Sequence, residues 1–317
     1  MQLHRIEQFI AVVDAGSIRG AARRLGMLQP TLTRSLQQLE DELGVQLLQR
    51  SVHGASLTKA GAAFLVRARV AEAELRLGAN EARSSLDGGA GMVSVGLSPS
   101  AASLLLPEFV LTLRQQRPQV RIRLLEQSPG ALLPSVREAA LDMAVTAHAQ
   151  THRDGGLSYR PLWEIQLRVA ARRGHPLAAA HSLAELVQAP WLSMAEPGDA
   201  GDLIRMSFLA AGLSVPVPAV YCNSHSVALD LIAASDMIGF LPPTLLRSCI
   251  AAGTLVELPL TQPLAPLIGG LYMRADSIAT PAAKAAAKVI VALARRFTSS
   301  GELRRMAPIA EPSPSHR

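Results

Sequence analysis

Leucines at 32, 36, 39 and 43 fall within a sector of about 60° when the chain is wound at about 100° per residue. Pro30, Thr33, Arg34, Gln37 and Gln38 occupy the opposite side. The segment therefore predicts a helix with one core face and one exposed row of mostly hydrogen-bonding side chains. A shorter Ala-rich helix is expected just before it. Ser17 is placed to cap Ile18 to Leu25, Ala21 and Ala22 are small enough for a close helix crossing, and Gly26-Met27 supplies a tight turn. Pro30 stands in the first turn of the second helix, where its missing N–H costs nothing. Upstream, Leu3, Ile6, Phe9, Ile10 and Val13 recur at helical spacing and predict a helix packed beneath this pair. The pattern is that of a helix-turn-helix, whose second helix is offered to the major groove of DNA.

Beyond Gly44, the short segment Val45 to Leu57 fits a two-stranded wing around Gly54, with Arg50 and His53 as expected phosphate contacts. Thr58 is placed to cap a long proline-free helix running to about Leu86. Phe64, Val70 and Leu77 make only a partial apolar stripe along it, interleaved with Arg67, Arg69, Arg76 and Arg83, so this helix needs a partner. Asp87 to Gly91 reads as a flexible joint. Strand-like and helix-like runs then alternate: Met92–Gly96, Leu104–Gln116, Val120–Glu126, Ala131–Glu138 and Asp142–Thr146. They resume with Leu167–Ala171, Trp191–Ser193, Asp199–Ala211, Ala219–Cys222, Val227–Ala234 and Ile238–Leu241. Such alternation predicts mostly parallel sheets covered by helices.

Composition narrows the partners more than the fold. The 317 residues carry a net charge of +6, with 49% hydrophobic and only 3% aromatic residues, so alanine and leucine do most of the packing. Residues 1–90 hold 11 Lys and Arg against 9 Asp and Glu. Affinity for a polyanion must then come from where the arginines point rather than from bulk charge. The charged start, without an apolar core, reads as no secretion signal, and no run of 18 apolar residues predicts a membrane span. A cytoplasmic protein is expected, with Cys222 and Cys249 as plain core residues.

The run from Ser17 to Gly61 closely resembles the N-terminal domain of LysR-type transcriptional regulators. The residues that carry the likeness are Gln29-Pro30, Leu39-Glu40 with Leu43-Gly44, Leu47-Leu48 with Arg50, and Leu57-Thr58 with Gly61. It continues in Leu104 to Pro107, Arg117-Pro118, Leu141 to Val145 and Ile238 to Pro242. The resemblance implies a winged helix-turn-helix over 1–58, a linker and dimerisation helix over 59–87, and a two-lobed α/β effector domain, like a periplasmic binding protein, over 88–300. Lobe one would take in about 91–161 and 268–300 and lobe two about 162–267, with crossovers near Pro161-Leu162 and Pro266-Leu267. The tail 301–317 is expected to be disordered. Double-stranded DNA, a small organic acid and a second copy of the chain are the implied partners, with dimers pairing into a tetramer. The DNA-binding residues would be Gln29, Pro30, Thr31, Thr33, Arg34, Gln37, Gln38, Arg50 and His53. Two departures stand out: Leu28, which cannot cap, replaces the frequent Ser or Ala before Gln-Pro, and His53 replaces a common Arg.

No nucleophile–base set, metal-ligand spacing or cofactor fingerprint is present, so an enzyme reading is disfavoured and no cofactor is expected. The N-terminal pattern counts against the other rival, a solute-binding protein. Serines mark the points where strands hand over to helices: Ser98, Ser100, Ser128, Ser224 and Ser226. Each alone reads as a helix cap, whereas together they line the place where open α/β lobes bind ligands. The candidate effector residues are Ser98, Ser100, Ser128, Pro129, Thr146, Ala147, Ser193 and Met194. Pro129 stands where the family's usual hydroxyl falls. No cationic side chain is forced into this cleft, which favours a small singly charged organic anion over a phosphate.

Overall fold

The computed structural model describes residues 1–51, 54–86, 91–148, 155–195, 202–222, 224–262, 264, 266–275 and 277–299. The chain divides into two compact units. One holds Met1–Gly91 and takes in Pro134–Leu141; the other holds the rest of the described chain. The expected joint at 87–90 and the tail lie outside the described residues.

The first unit runs α1 (Leu3–Ala15), α2 (Ile18–Arg24), α3 (Gln29–Leu43), β1 (Leu48–Ser51), β2 (Gly54–Leu57) and α4 (Lys59–Leu86). Its core is the convergence of the apolar stripes: Ile6, Phe9, Ile10 and Val12 of α1, Ala21 and Ala22 of α2, and Leu32, Leu36 and Leu39 of α3. Val12, rather than the expected Val13, takes the buried place. Ser17 caps α2 by accepting the Gly20 N–H at 3.1 Å. Leu28 precedes α3 without a side-chain cap, and Pro30 sits in its first turn. β1 and β2 pair antiparallel from Leu48 opposite Leu57 to Ser51 opposite Gly54. The ribbon is anchored to α1 by the Ala55 N–H donating to the Gly16 carbonyl at 3.1 Å. Phe64 of α4 meets Phe9 with ring centroids 5.6 Å apart.

The second unit opens with β3 (Met92–Leu97), α5 (Pro99–Gln116), β4 (Arg121–Glu126), α6 (Pro129–Arg137), β5 (Met143–His148), β6 (Leu157–Gln166) and β7 (Arg168–Arg172). It continues with β8 (Leu192–Ser193), α7 (Leu203–Ala210), β9 (Val220–Tyr221), α8 (His225–Ala234), β10 (Gly239–Leu241), α9 (Pro243–Ala251), β11 (Leu255–Glu257), β12 (Pro266–Arg274) and α10 (Pro281–Ser299). Two main sheets result, ordered β4-β3-β5-β12-β6 and β10-β7-β11. The first is covered on one face by α5 and α10, burying Val95, Leu105, Phe109, Trp163 and Ile290. The second packs around Trp191, which stacks on Phe240 at 5.0 Å, meets Phe208 edge-on at 5.5 Å, and donates its indole N–H to the Leu186 carbonyl at 2.9 Å.

The sheets are mixed, not mostly parallel as the alternation predicts. β3 runs parallel to β4 and β5, but β12 is antiparallel to both β5 and β6, and β7 is antiparallel to β10 and β11. The physical reason is that β6 and β12 carry the chain out to the second lobe and back, without a helix to reverse it. Gln166 and Pro266 are register partners at this exit. The first crossover thus lies beyond Pro161-Leu162, which sit inside β6. A register shift falls between Gly269 and Gly270. A Cβ on Gly269 would lie 2.2 Å from the Trp163 ring, and one on Gly270 would lie 2.1 Å from the Tyr159 ring. Both rings lie directly on the β12 backbone, so neither position has room for a side chain.

Candidate nucleic-acid interface and ligand cleft

α3 turns Leu32, Leu36 and Leu39 inward and leaves Gln29, Pro30, Thr31, Arg34, Gln37 and Gln38 exposed, with Thr33 half-buried. No carboxylate interrupts the helix from Gln29 to Gln38. The exposed row therefore offers amide and hydroxyl donors and acceptors with a single guanidinium. Leu28, 76% exposed, stands at its head. Behind this face, Ser35 donates to the Gln8 side chain, which fixes α3 against α1. Arg50 lies in β1 with its backbone opposite Ala55. His53 lies outside the described residues.

Glu40 is the residue of this interface whose job the leucine pattern does not reveal. Its Oε1 accepts the backbone N–H groups of Leu47 at 2.7 Å and Leu48 at 3.0 Å. The reading helix and the wing are thereby fastened by one carboxylate. Thr58 adds a second fastening: its hydroxyl donates to the Gln46 carbonyl at 2.7 Å and accepts the Gly61 N–H at 2.9 Å, capping α4.

In the second unit a cavity of about 350 Å³ opens between the two lobes. Ser98, Ser100, Ser128, Pro129, Ala147, Ser193 and Met194 all line it, so seven of the eight expected residues converge. Thr146 does not. It is fully buried, on the opposite side of β5 from Ala147, and its hydroxyl has no partner among the described residues. Ser98 is 3% exposed and makes no side-chain cap; its hydroxyl meets that of Ser100 at 3.3 Å. The bland reading of Ser98 as a helix cap is thus not what the geometry displays. Ser193 is engaged locally, donating to the Ala195 carbonyl at 2.8 Å. Helices α5, α6 and α8 begin in the cavity wall, at Pro99, Pro129 and His225. Their first N–H groups make the wall receptive to negative charge. Apolar surface comes from Leu133, Leu203, Ile204, Phe240 and Leu267.

His225 is missing from the sequence-based set. It stands between Ser224 and Ser226, whose hydroxyls meet at 3.2 Å, and it lines the cavity with its Nδ1 shut away from solvent and without a partner among the described residues. Burial holds its pKa below the ordinary histidine value. Other histidines are spent on structure: the His175 ring accepts the Leu177 N–H at 3.0 Å and meets the Asp236 carbonyl, also at 3.0 Å. Cys222 and Cys249 are half-buried and pack against one cluster of the second lobe. Among the described residues no His, Cys, Asp or Glu group could hold a metal ion, and no helix is long and apolar enough to cross a membrane.

Residues 3–62 match the family described as "Bacterial regulatory helix-turn-helix protein, lysR family", and residues 86–295 match the "LysR substrate binding domain". The HTH-type transcriptional regulator GalR of Pseudomonas putida is 32% identical over 90% of this chain and 72% of its own length. A probable hydrogen peroxide-inducible genes activator of Mycobacterium leprae is 31% identical over 90% of this chain and 92% of its own. The crystal structure of CbnR, a LysR family transcriptional regulator, has a TM-score of 0.66 at 22% identity, covering 93% of this chain and 99% of that one. CbnR complexed with its target DNA gives 0.64 at 23%, covering 93% and 99%. With matches to both of the family's domains, and with relatives above 30% identity along nearly the whole chain, the chain belongs to the LysR family of transcriptional regulators, proteins that bind DNA and are not enzymes.

Proposed function

We propose that residues 1–58 read a pseudo-palindromic operator in the cytoplasm and that a small organic anion held between the lobes of 88–300 switches the response. The observation that carries the DNA half is the carboxylate-free outer face of α3. Gln29, Pro30, Thr31, Thr33 and Gln38 lie against base edges or the adjacent backbone in this reading, which the similarity to CbnR, a structure solved with its target DNA, supports. Gln37 joins them, and Arg34, Arg50 and His53 supply contacts to phosphate or guanine. α4 (within the proposed linker, 59–87) carries Leu75 at 55% exposure, and its partner is the same helix of a second copy, with dimers pairing further into tetramers.

Arg34→Ala is expected to weaken operator binding by about 1–3 kcal/mol, on the order of 5- to 150-fold, while the thermal midpoint stays put. Footprinting and anisotropy titration at physiological salt check this; affinity equal to that of the parent rejects Arg34 as a contact.

The anion half rests on three buried serines, one exposed serine and three helix N-termini around a mostly apolar cavity. That set suits a monoacid, whose single carboxylate needs few donors and whose body needs apolar walls. A hydrogen bond to a charged group contributes about 1.5–3 kcal/mol. Ser98→Ala should therefore weaken binding of those organic acids that stabilise the parent protein by roughly tenfold or more. An unchanged dissociation constant by calorimetry removes Ser98 from the site.

A further inference from the structure

The cleft wall presents hydroxyls, apolar carbons and one ring able to change its charge. His225, the first residue of α8, is the only ionisable side chain among the described residues that line the cavity. Among the described residues, neighbouring elements bring it no counter-ion. The lining parts of α5 and α6 are serine, proline, glycine and leucine, while β8 and β10 supply Ser193 and Phe240. α7 supplies Leu203 and Ile204; the Asp202 carboxylate ahead of them is engaged as its cap, on the Arg205 N–H. On the His225 element itself Asp230 is exposed, and the Cys222 thiol before it is turned to the Ser224 carbonyl at 3.4 Å.

We propose that His225 is the anion-recognising group of this cleft, and that an organic monoacid is taken up there together with one proton. This rests on the ligand reading given above and adds its recognition chemistry. A lysine or arginine would leave a permanent unpaired charge in an empty, largely apolar cavity, which is costly. Histidine avoids that by being neutral when the cleft is empty and cationic when it is filled. The carboxylate enters as an anion, the ring takes one proton from solvent, and the pair adds no net charge to the cavity. The hydroxyls of Ser98 and Ser100 and the helix N–H groups remain for the second carboxylate oxygen.

The sign of the pH dependence follows. Desolvation keeps the ring's pKa below 6.5 in the empty cleft, and a paired carboxylate raises it in the filled one. Between those two values affinity falls about tenfold per unit as pH rises; it is greatest below the empty-state value, until the acid itself is protonated, and flat above the filled-state value.

Benzoate and hexanoate, one aromatic and one aliphatic monoacid, are the probes. Each is titrated calorimetrically into the full chain at pH 7 in two buffers of different ionisation heat, and again at pH 6 and pH 8. The parent should take up close to one proton per bound anion and bind at least tenfold more weakly at pH 8 than at pH 6. His225→Gln and His225→Asn should show proton uptake near zero and pH-independent binding. Binding by the parent without proton uptake, or uptake retained in both variants, overturns the role of His225 while the organic-acid reading stands. Should neither probe bind the parent at millimolar concentration at pH 6, the organic-acid reading falls and this proposal with it. The parent's proton count decides the matter even if both variants melt without cooperativity.

Discussion

Gly61→Ala is expected to unfold the first unit under conditions where the parent is stable. A Cβ at this position would stand 1.9 Å from the Leu47 carbonyl oxygen, 2.8 Å from its carbon and 3.1 Å from its Cα. These are backbone atoms and cannot swing aside as the end of a side chain would. The start of α4 and the base of the wing must separate instead. Leu47 is itself a core residue, its N–H is bound by Glu40, and its carbonyl accepts the Thr58 N–H at 3.0 Å. Overpacking alone costs about 1–3 kcal/mol, and each bond lost at Leu47 adds about 1 kcal/mol. A total of about 3 kcal/mol or more is a large part of the 5–15 kcal/mol that holds a typical domain together. Urea denaturation followed by circular dichroism checks this, with operator binding lost in parallel. A variant with the parent's midpoint would mean that the approach of α4 to Leu47 is not needed.

The second large effect belongs to Glu40. Removing its carboxylate as Glu40→Ala leaves the N–H groups of Leu47 and Leu48 without their acceptor, at residues 1% and 6% exposed. An unsatisfied buried donor costs about 1–3 kcal/mol, so the pair amounts to about 2–6 kcal/mol. Glu40→Gln keeps a carbonyl oxygen able to accept both donors and loses only the charge assistance, roughly half the strength of each bond. The expected order of melting temperature is therefore Glu, then Gln, then Ala. Gln melting as low as Ala would assign the effect to charge rather than to the acceptor, and equal melting of all three would remove the carboxylate from the account. Because the wing hangs from this acceptor, Ala should also blunt any contribution of Arg50 to DNA affinity.

How much of this was legible in the chain depended on how local each decision is. The leucine stripe of α3, the Ser17 cap and the long run of α4 are set by residues a turn apart, and all three stand where the pattern puts them. β6 and β12 escaped notice because the choice to return antiparallel is made by partners about a hundred residues apart, not by either strand's composition. The serine pattern points to Thr146 and Ala147 together, although alternation along β5 allows only one of the two to face the cleft. A short apolar run does not reveal its own phase. His225 carries no local mark at all. Only the convergence of α8 with α5 and α6 turns an ordinary helix-start residue into a cavity wall.

The two strands that join the lobes lie side by side, leaving the first sheet at the paired Gln166 and Pro266. Such a ribbon behaves as a leaf spring. Flexing out of its plane leaves the ladder of hydrogen bonds intact, whereas sliding one lobe along the other would break it rung by rung. The cheap motion is then bending of this ribbon, and a molecule spanning the cleft biases the lobes by favouring one value of that bend over another.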